Sequence, residues 1–185
     1  CFSDLLTSDP VPPTQKQPFT DDEVNTVWKH QNEPWVDSVL VFLYSGWRIS
    51  ELLNLKPEDI DLQAGTMKGG TKTKAGKDRV VPIHSKIRPL IEARLSESGP
   101  RLISYNGKPC SISQYRIFWA DIMKALEMNH TPHECRHTFE TQLDSAGANR
   151  KCIDLLMGHV SKDTGNRVYN HKTLDELKAA VELIQ

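Results

Sequence analysis

The segment His133-Glu134-Cys135-Arg136-His137 carries residue types and spacings that point directly to chemistry. Read as H-E-x-x-H, it is the pattern of a zinc hydrolase, with two histidines on one helix face as ligands and the glutamate as general base. Such a site needs a third ligand, which Asp154 or His159 would have to supply. The neighbouring residues favour a different use. Thr131-Pro132-His133-Glu134 has the form of a capping box with proline at the first helical position, so Glu134 is expected to bond back to the Thr131 amide. His133 then lies beside a helix N-terminus, where free amides and the macrodipole favour an anion. Arg136, one turn on, would oppose a dication, whereas its fork of N–H groups suits two phosphate oxygens. A histidine and an arginine so placed read as a phosphate site.

Other segments extend that site. Leu155-Leu156-Met157-Gly158-His159 follows HECRHTF, and Tyr169 follows in VYNH; upstream stand SGWRISELLNL (45–55) and KTKAGKDRVVPI (72–83). Together these resemble, in order, the sequence boxes of the tyrosine recombinases, the family of phage and conjugative-transposon integrases, over residues 20 to 185. The match differs in detail: Ser45 stands where threonine is usual, Cys135 where leucine is common, and His159 and Tyr169 are one residue further apart than in most of the family.

The resemblance implies a role for each residue. Tyr169 would attack a DNA phosphorus and form a 3′-phosphotyrosine, which keeps the bond energy and makes rejoining independent of ATP and metal. Arg48 and Arg136 would hold the non-bridging oxygens, where charge builds in the transition state, and His159 would donate a hydrogen bond there. Lys74, eight residues before Pro82, would protonate the leaving 5′ oxygen, with Lys72 or Lys77 as alternatives; His133 would take the tyrosine proton. Glu51, three residues after Arg48, would orient that guanidinium or its neighbours. Lys72, Lys77 and Arg79 are expected along the DNA, although a run of charges in this setting is usually a solvated hairpin. His137 is expected to face the core as a hydrogen-bonded structural histidine.

These residues need a scaffold. The fold class expected is mainly α with a small antiparallel three-stranded sheet, the tyrosine recombinase catalytic-domain fold. Residues 1–19, rich in proline, read as a linker or arm from a preceding DNA-binding region, and 20–185 as one catalytic domain. Thr20 with Glu23 opens the first helix; apolar residues over 34–44 form the next, stopped at Ser45-Gly46, with a short helix over 48–54. Residues 60 to 83 read as three short strands around turns at Ala64-Gly65 and the Lys-rich loop. Helices follow from a Ser85 cap to about 97, from Ser111 to about 127, from Thr131, and from Thr173, with Gly147 and Gly158 as C-terminal stops. Leu174, Leu177, Val181 and Ile184 make a narrow stripe on the last helix, suited to packing on its own core or, as the family resemblance implies, to exchange between protomers.

A net charge of −1 gives no sign of nucleic acid, but binding requires a local basic surface rather than a basic total. The four cysteines have no paired spacing, as expected of free thiols in a reducing compartment, and no apolar run approaches the roughly 20 residues of a membrane span. The expectation is a cytoplasmic DNA strand-transferase without metal or other cofactor. It would act on double-stranded DNA carrying a specific attachment site, monomeric when free and tetrameric in a synapse. A zinc hydrolase, a type IB topoisomerase and a non-catalytic DNA-binding relative are the competing readings.

Overall fold

The computed structural model describes residues 17–70, 78–159 and 173–185. Its centre is helix α2 (Val36–Leu43), whose sequence VDSVLVFL is apolar on nearly every side; all but Asp37 of its residues are buried. A helix with this pattern has to lie inside. It is flanked by α1 (Asp21–Lys29) and α6 (Pro132–Ser145). The Thr20–Glu23 capping box opens α1 as expected, Glu23 Oε2 accepting from the Thr20 amide at 2.7 Å. Helix α2 starts two residues later than the apolar run suggests, because Trp35 takes a left-handed conformation (φ 68°) that no helix continues through.

The chain leaves α2 through Ser45-Gly46 and re-enters a single turn of helix, α3 (Ile49–Leu52), shorter than the 48–54 expected. A 3-10 turn (Pro57–Asp59) leads to strands β1 (Ile60–Asp61), β2 (Thr66–Gly69) and β3 (Arg79–Pro82). They form the antiparallel sheet in the order β1-β2-β3, with Met67 opposite both Ile60 and Val81. Met67 and Val81 are fully buried, so this register puts one sheet face on the core.

Beyond the sheet, His84 rather than Ser85 is the N-cap, of a 3-10 turn (Ser85–Ile87) running into α4 (Arg88–Ser96). A second hairpin, β4 (Ser104–Tyr105) and β5 (Lys108–Pro109), which is not among the elements expected from sequence, lies between the two helices expected on either side of it. Its turn, Asn106-Gly107, has φ of 51° and 69°, the paired positive values that this dipeptide favours. Helix α5 (Ile112–Ala125) opens on the Ser111–Gln114 box. Helix α7 (Arg150–Met157) stops at Gly158, φ 62°. Among the described residues no helix is long and apolar enough to cross a membrane.

Helix α8 (Leu174–Val181) lies against α7 and β3 of the same chain, with Leu177, Ala180, Val181 and Ile184 buried. Polar contacts hold its end. Glu182 accepts from the Ser85 amide and hydroxyl, both at 2.7 Å, and the Tyr44 hydroxyl donates to the Gln185 carbonyl at 3.2 Å. His84 donates from Nε2 to the Ile184 carbonyl (3.0 Å) and accepts at Nδ1 from the Lys86 amide (3.0 Å). Both ring nitrogens are thus satisfied only by the neutral imidazole.

Burial lowers the His84 pKa below its usual 6.5, outweighing the Ile184 carbonyl and Glu182. A lowered histidine pKa means that the unfolded chain binds the proton more readily. This contribution to stability is therefore complete above about pH 6.5 and is lost as pH falls from there toward the folded value. Acidification from about pH 7.5 to 5.5 should lower the melting temperature and, after correction for the intrinsic pH dependence of exchange, lower the hydrogen-exchange protection factors in 174–185. His84→Gln should flatten that dependence, and an equally steep fall in the variant would remove His84 as its source.

Candidate active site

The turn after α2 begins the site. Gly46 has φ +61°, and a Cβ there would sit 2.4 Å from the Phe139 ring, so only glycine fits. The turn delivers Arg48 to the start of α3 with Glu51 one turn on. The Arg48 amide donates to Glu51 Oε2 and its Nη1 to Oε1, each at 3.0 Å. Glu51 is closed off from water, its side chain 1% exposed against 22% for Arg48. A carboxylate so buried needs full compensation, and β3 supplies more of it. Arg79 Nη2 lies 3.0 Å from Glu51 Oε2, in ion-pair contact though not aligned as a hydrogen bond, and its guanidinium lies 4.1 Å from the centre of the Trp47 ring.

Helix α6 brings the second arginine. Arg136 donates from Nη1 to the Gly46 carbonyl at 2.6 Å and from Nη2 to the Met157 carbonyl. Arg79 Nη1 reaches the same Met157 carbonyl at 3.4 Å. That carbonyl belongs to the last turn of α7, where helical acceptors lack partners and the dipole favours cations. Gly158 then turns left-handed, the His159 amide bonds back to the Asp154 carbonyl (2.9 Å), and His159 Nε2 comes 3.5 Å from Arg136 Nη2. Arg136 is itself buried, so an oxygen reaching it enters beside Arg48 and the exposed His159.

Three guanidiniums thus crowd one carboxylate. Burial, then repulsion from Arg79 and Arg48, brings the Arg136 pKa down to about 9. Burial, opposed by Glu51 and reinforced by Arg48, brings Arg79 to about 10. Burial and the Arg136 charge lower His159 below its usual value. At neutral pH the arginines remain charged, and because burial and mutual repulsion both disfavour their charges, an anion placed among them would be attracted.

The zinc pattern does not assemble. Glu134 is buried, and its oxygens are taken: Oε2 accepts from the Thr131 amide at 2.5 Å and Oε1 from the Gln17 amide at 3.2 Å, with His130 Nδ1 at 3.7 Å. No group of three histidine, cysteine or carboxylate side chains among the described residues could hold a metal ion. His133 is exposed on the first turn of α6, its ring edge-on to His137 at 4.8 Å. His137 differs from expectation, since its buried Nε2 has no hydrogen-bond partner among the described residues.

Of the residues expected at the site, Arg48 is linked directly to Glu51 and Arg136 to His159, Arg79 bridging the two pairs through Glu51 and the Met157 carbonyl that Arg136 also binds, and His133 lies on the same helix start as Arg136. Lys72, Lys74, Lys77 and Tyr169 lie outside the described residues. The ends of the loop that carries the lysines, Gly70 and Asp78, do line a cavity together with Glu51. Arg79 is a correction. Expected along the DNA, it is 6% exposed and turned inward, because Glu51 and the Trp47 face hold it in the core. Trp47 and the Met157 carbonyl are parts of the site that residue types did not single out. Trp47 adjoins Arg48 in sequence, but a backbone acceptor has no signature.

The chain resembles known proteins in sequence and in fold. Residues 18–176 match the model of the phage integrase family, and the chain belongs to that family. Tyrosine recombinase XerA of Thermococcus kodakarensis is 34% identical over 153 residues, 78% of this chain and 53% of that protein. The chain thus spans about half the length of this curated relative. A crystal structure of XerA recombinase superposes with a TM-score of 0.72 at 25% identity, over 91% of this chain and 65% of that one. The integrase of transposon Tn1549, solved in complex with circular intermediate DNA, gives a TM-score of 0.69 at 24% identity, covering 94% and 66%. The fold is that of tyrosine recombinase catalytic domains.

Two outcomes follow from the site geometry. Gly46→Ala should cost about 1–3 kcal/mol from the left-handed backbone alone, with the Phe139 clash in addition; denaturant unfolding measures it, and a neutral substitution would refute the close-packed turn. In a histidine-resolved NMR titration, His159 should titrate below 6.5 in the free chain and move upward when inorganic phosphate is added. An unmoved His159 would place the anion elsewhere.

Proposed function

We propose that this chain is the catalytic domain of a site-specific DNA recombinase, which integrates or excises a mobile element through a 3′-phosphotyrosine intermediate. One observation carries the reading: Arg48 and Arg79 hold the buried Glu51 carboxylate, and Arg136, close enough to be repelled by both, brings in His159, so that positive charge gathers at one place. Family membership and the recombinase names of its relatives support it.

In this mechanism Arg48 and Arg136 take the non-bridging oxygens of the scissile phosphate, and His159 adds a hydrogen bond once the anion has raised its pKa. The Tyr169 oxygen forms a bond to phosphorus as the bond from phosphorus to the 5′ oxygen breaks. His133 accepts the tyrosine proton and Lys74 gives one to the 5′ oxygen, so charge is conserved across the step. Attack by a 5′ hydroxyl on the phosphotyrosine reverses these transfers and joins the strands. Lys72 and Lys77 contact the DNA backbone, giving an affinity that falls as salt rises.

The partners proposed are duplex DNA with a specific attachment site and further copies of the chain in a synaptic tetramer, with α8 exchanged between protomers. The free domain would be a monomer in the cytoplasm. Residues 1–19 would be an arm joining it to a DNA-binding region, in keeping with the greater length of its relatives.

The test offers nicked duplexes bearing candidate attachment sites, in EDTA, to the chain and to the intact protein that contains it. A denaturation-resistant protein–DNA adduct is expected with the native sequence and absent with Tyr169→Phe. Arg136→Ala should slow adduct formation on the order of 10²–10³-fold, the usual effect of losing one preorganised donor. An adduct that survives Tyr169→Phe would overturn the assignment of the nucleophile, and zinc-dependent, EDTA-sensitive hydrolysis without any adduct would revive the hydrolase reading.

A further inference from the structure

Arg79 has a charge that the proposed mechanism does not use. It contacts no exposed surface and hydrogen-bonds weakly: Nη1 to the Met157 carbonyl is 3.4 Å long, and Nε and Nη2 have no hydrogen-bond partner among the described residues. What holds it is the Glu51 carboxylate and the face of Trp47. A buried guanidinium with so few directed bonds acts mainly through its charge.

The consequence lies in how Glu51 divides itself. One oxygen serves the Arg48 side chain, and the other serves Arg79 and the Arg48 amide. With Arg79 present, three guanidiniums face one carboxylate and leave two positive charges for an incoming phosphate. Without it, Arg48 becomes the main counter-ion of a carboxylate that water does not reach, and one positive charge remains. Arg79 also shares the Met157 carbonyl with Arg136, at the point where the chain turns to present His159.

We propose that Arg79 is a positioning residue: a permanent counter-ion of Glu51, so that Arg48, though hydrogen-bonded to that carboxylate, is not its sole counter-ion and keeps its charge available, with that of Arg136, for the phosphate. This rests on the reading of the pocket as a phosphate site, and it assigns Arg79 a function distinct from contact with DNA.

Charge compensation tests it. In the intact protein, inorganic phosphate affinity is read from histidine NMR shifts, and adduct formation on nicked duplex is followed in parallel. Arg79→Met keeps much of the stem on Trp47 and should weaken phosphate binding on the order of tenfold, the scale of removing one nearby charge. Arg79→Lys keeps the charge and should lose much less. Adding Glu51→Gln to Arg79→Met returns the pocket to two positive charges and should restore most of the lost affinity, whereas a packing role predicts that a second core substitution makes matters worse.

Unchanged phosphate binding in Arg79→Met would overturn the proposal. So would a double variant that binds no better than Arg79→Met. Should Arg79→Met not fold, the double variant decides: folding with phosphate affinity restored supports the counter-ion role, and failure to fold overturns it. A native protein that binds phosphate but forms no tyrosine adduct sinks the recombinase reading and leaves the Arg79 comparison intact.

Discussion

The buried carboxylate of Glu51 is the constraint on which the site depends. At 1% exposure it cannot remain charged without compensation, and the compensation comes from two elements distant in sequence: Arg48 beside it on α3, and Arg79 from β3. That pairing ties the helical turn after α2 to the small sheet. It also explains why the sheet is present in a helical domain, since β3 carries Arg79 at one end and packs against α7 and α8. Removing a single partner from such a cluster leaves an uncompensated charge in the interior, so the cluster holds its geometry firmly.

Backbone carbonyls complete the arrangement. The Gly46 carbonyl exists at that spot only because glycine can turn left-handed against Phe139, and the Met157 carbonyl is free because its helix ends there. Arg136 docks on both, so the two glycine-limited chain reversals at 46 and 158 aim one guanidinium. Excess positive charge then follows from crowding: each side chain that holds Glu51 or these two carbonyls among the described residues is a cation. In the proposed reading, the contacts that stabilise the fold also supply the charge that a phosphate would meet.

The pattern HECRH shows how one short motif can serve two chemistries. As a zinc site it would present both histidines and the glutamate to a metal. Here Glu134 turns back to close the first turn of α6 and accepts the Gln17 amide, while Phe19 donates its amide to Thr138 at 2.8 Å and stacks on His130. The glutamate therefore registers the entering chain against the helix that carries Arg136. Local capping chemistry decided between the readings, because a side chain with both oxygens engaged is unavailable to a metal-bound water.

Much was legible in the sequence for local physical reasons. Capping boxes at Thr20, Ser111 and Thr173, glycine stops at 147 and 158, and the turn at Ala64-Gly65 between short strand-like segments depend on neighbours within a few residues, so helices and strands could be placed from them. His133 and Arg136 at a helix start were enough to suggest a phosphate site, and the family resemblance added Arg48, Glu51 and His159 to it. Tertiary structure decided what depends on residues far apart in the chain: that Arg79 turns inward, and that His84 rather than Ser85 caps the turn and holds α8. A hairpin at Asn106-Gly107 was written in its turn residues, yet strands of two residues are too short to announce themselves by alternation. The physical reason for the division is range. Hydrogen bonds between near neighbours follow from residue type, whereas the side of a strand on which an arginine's charge is needed is set by a carboxylate 28 positions away.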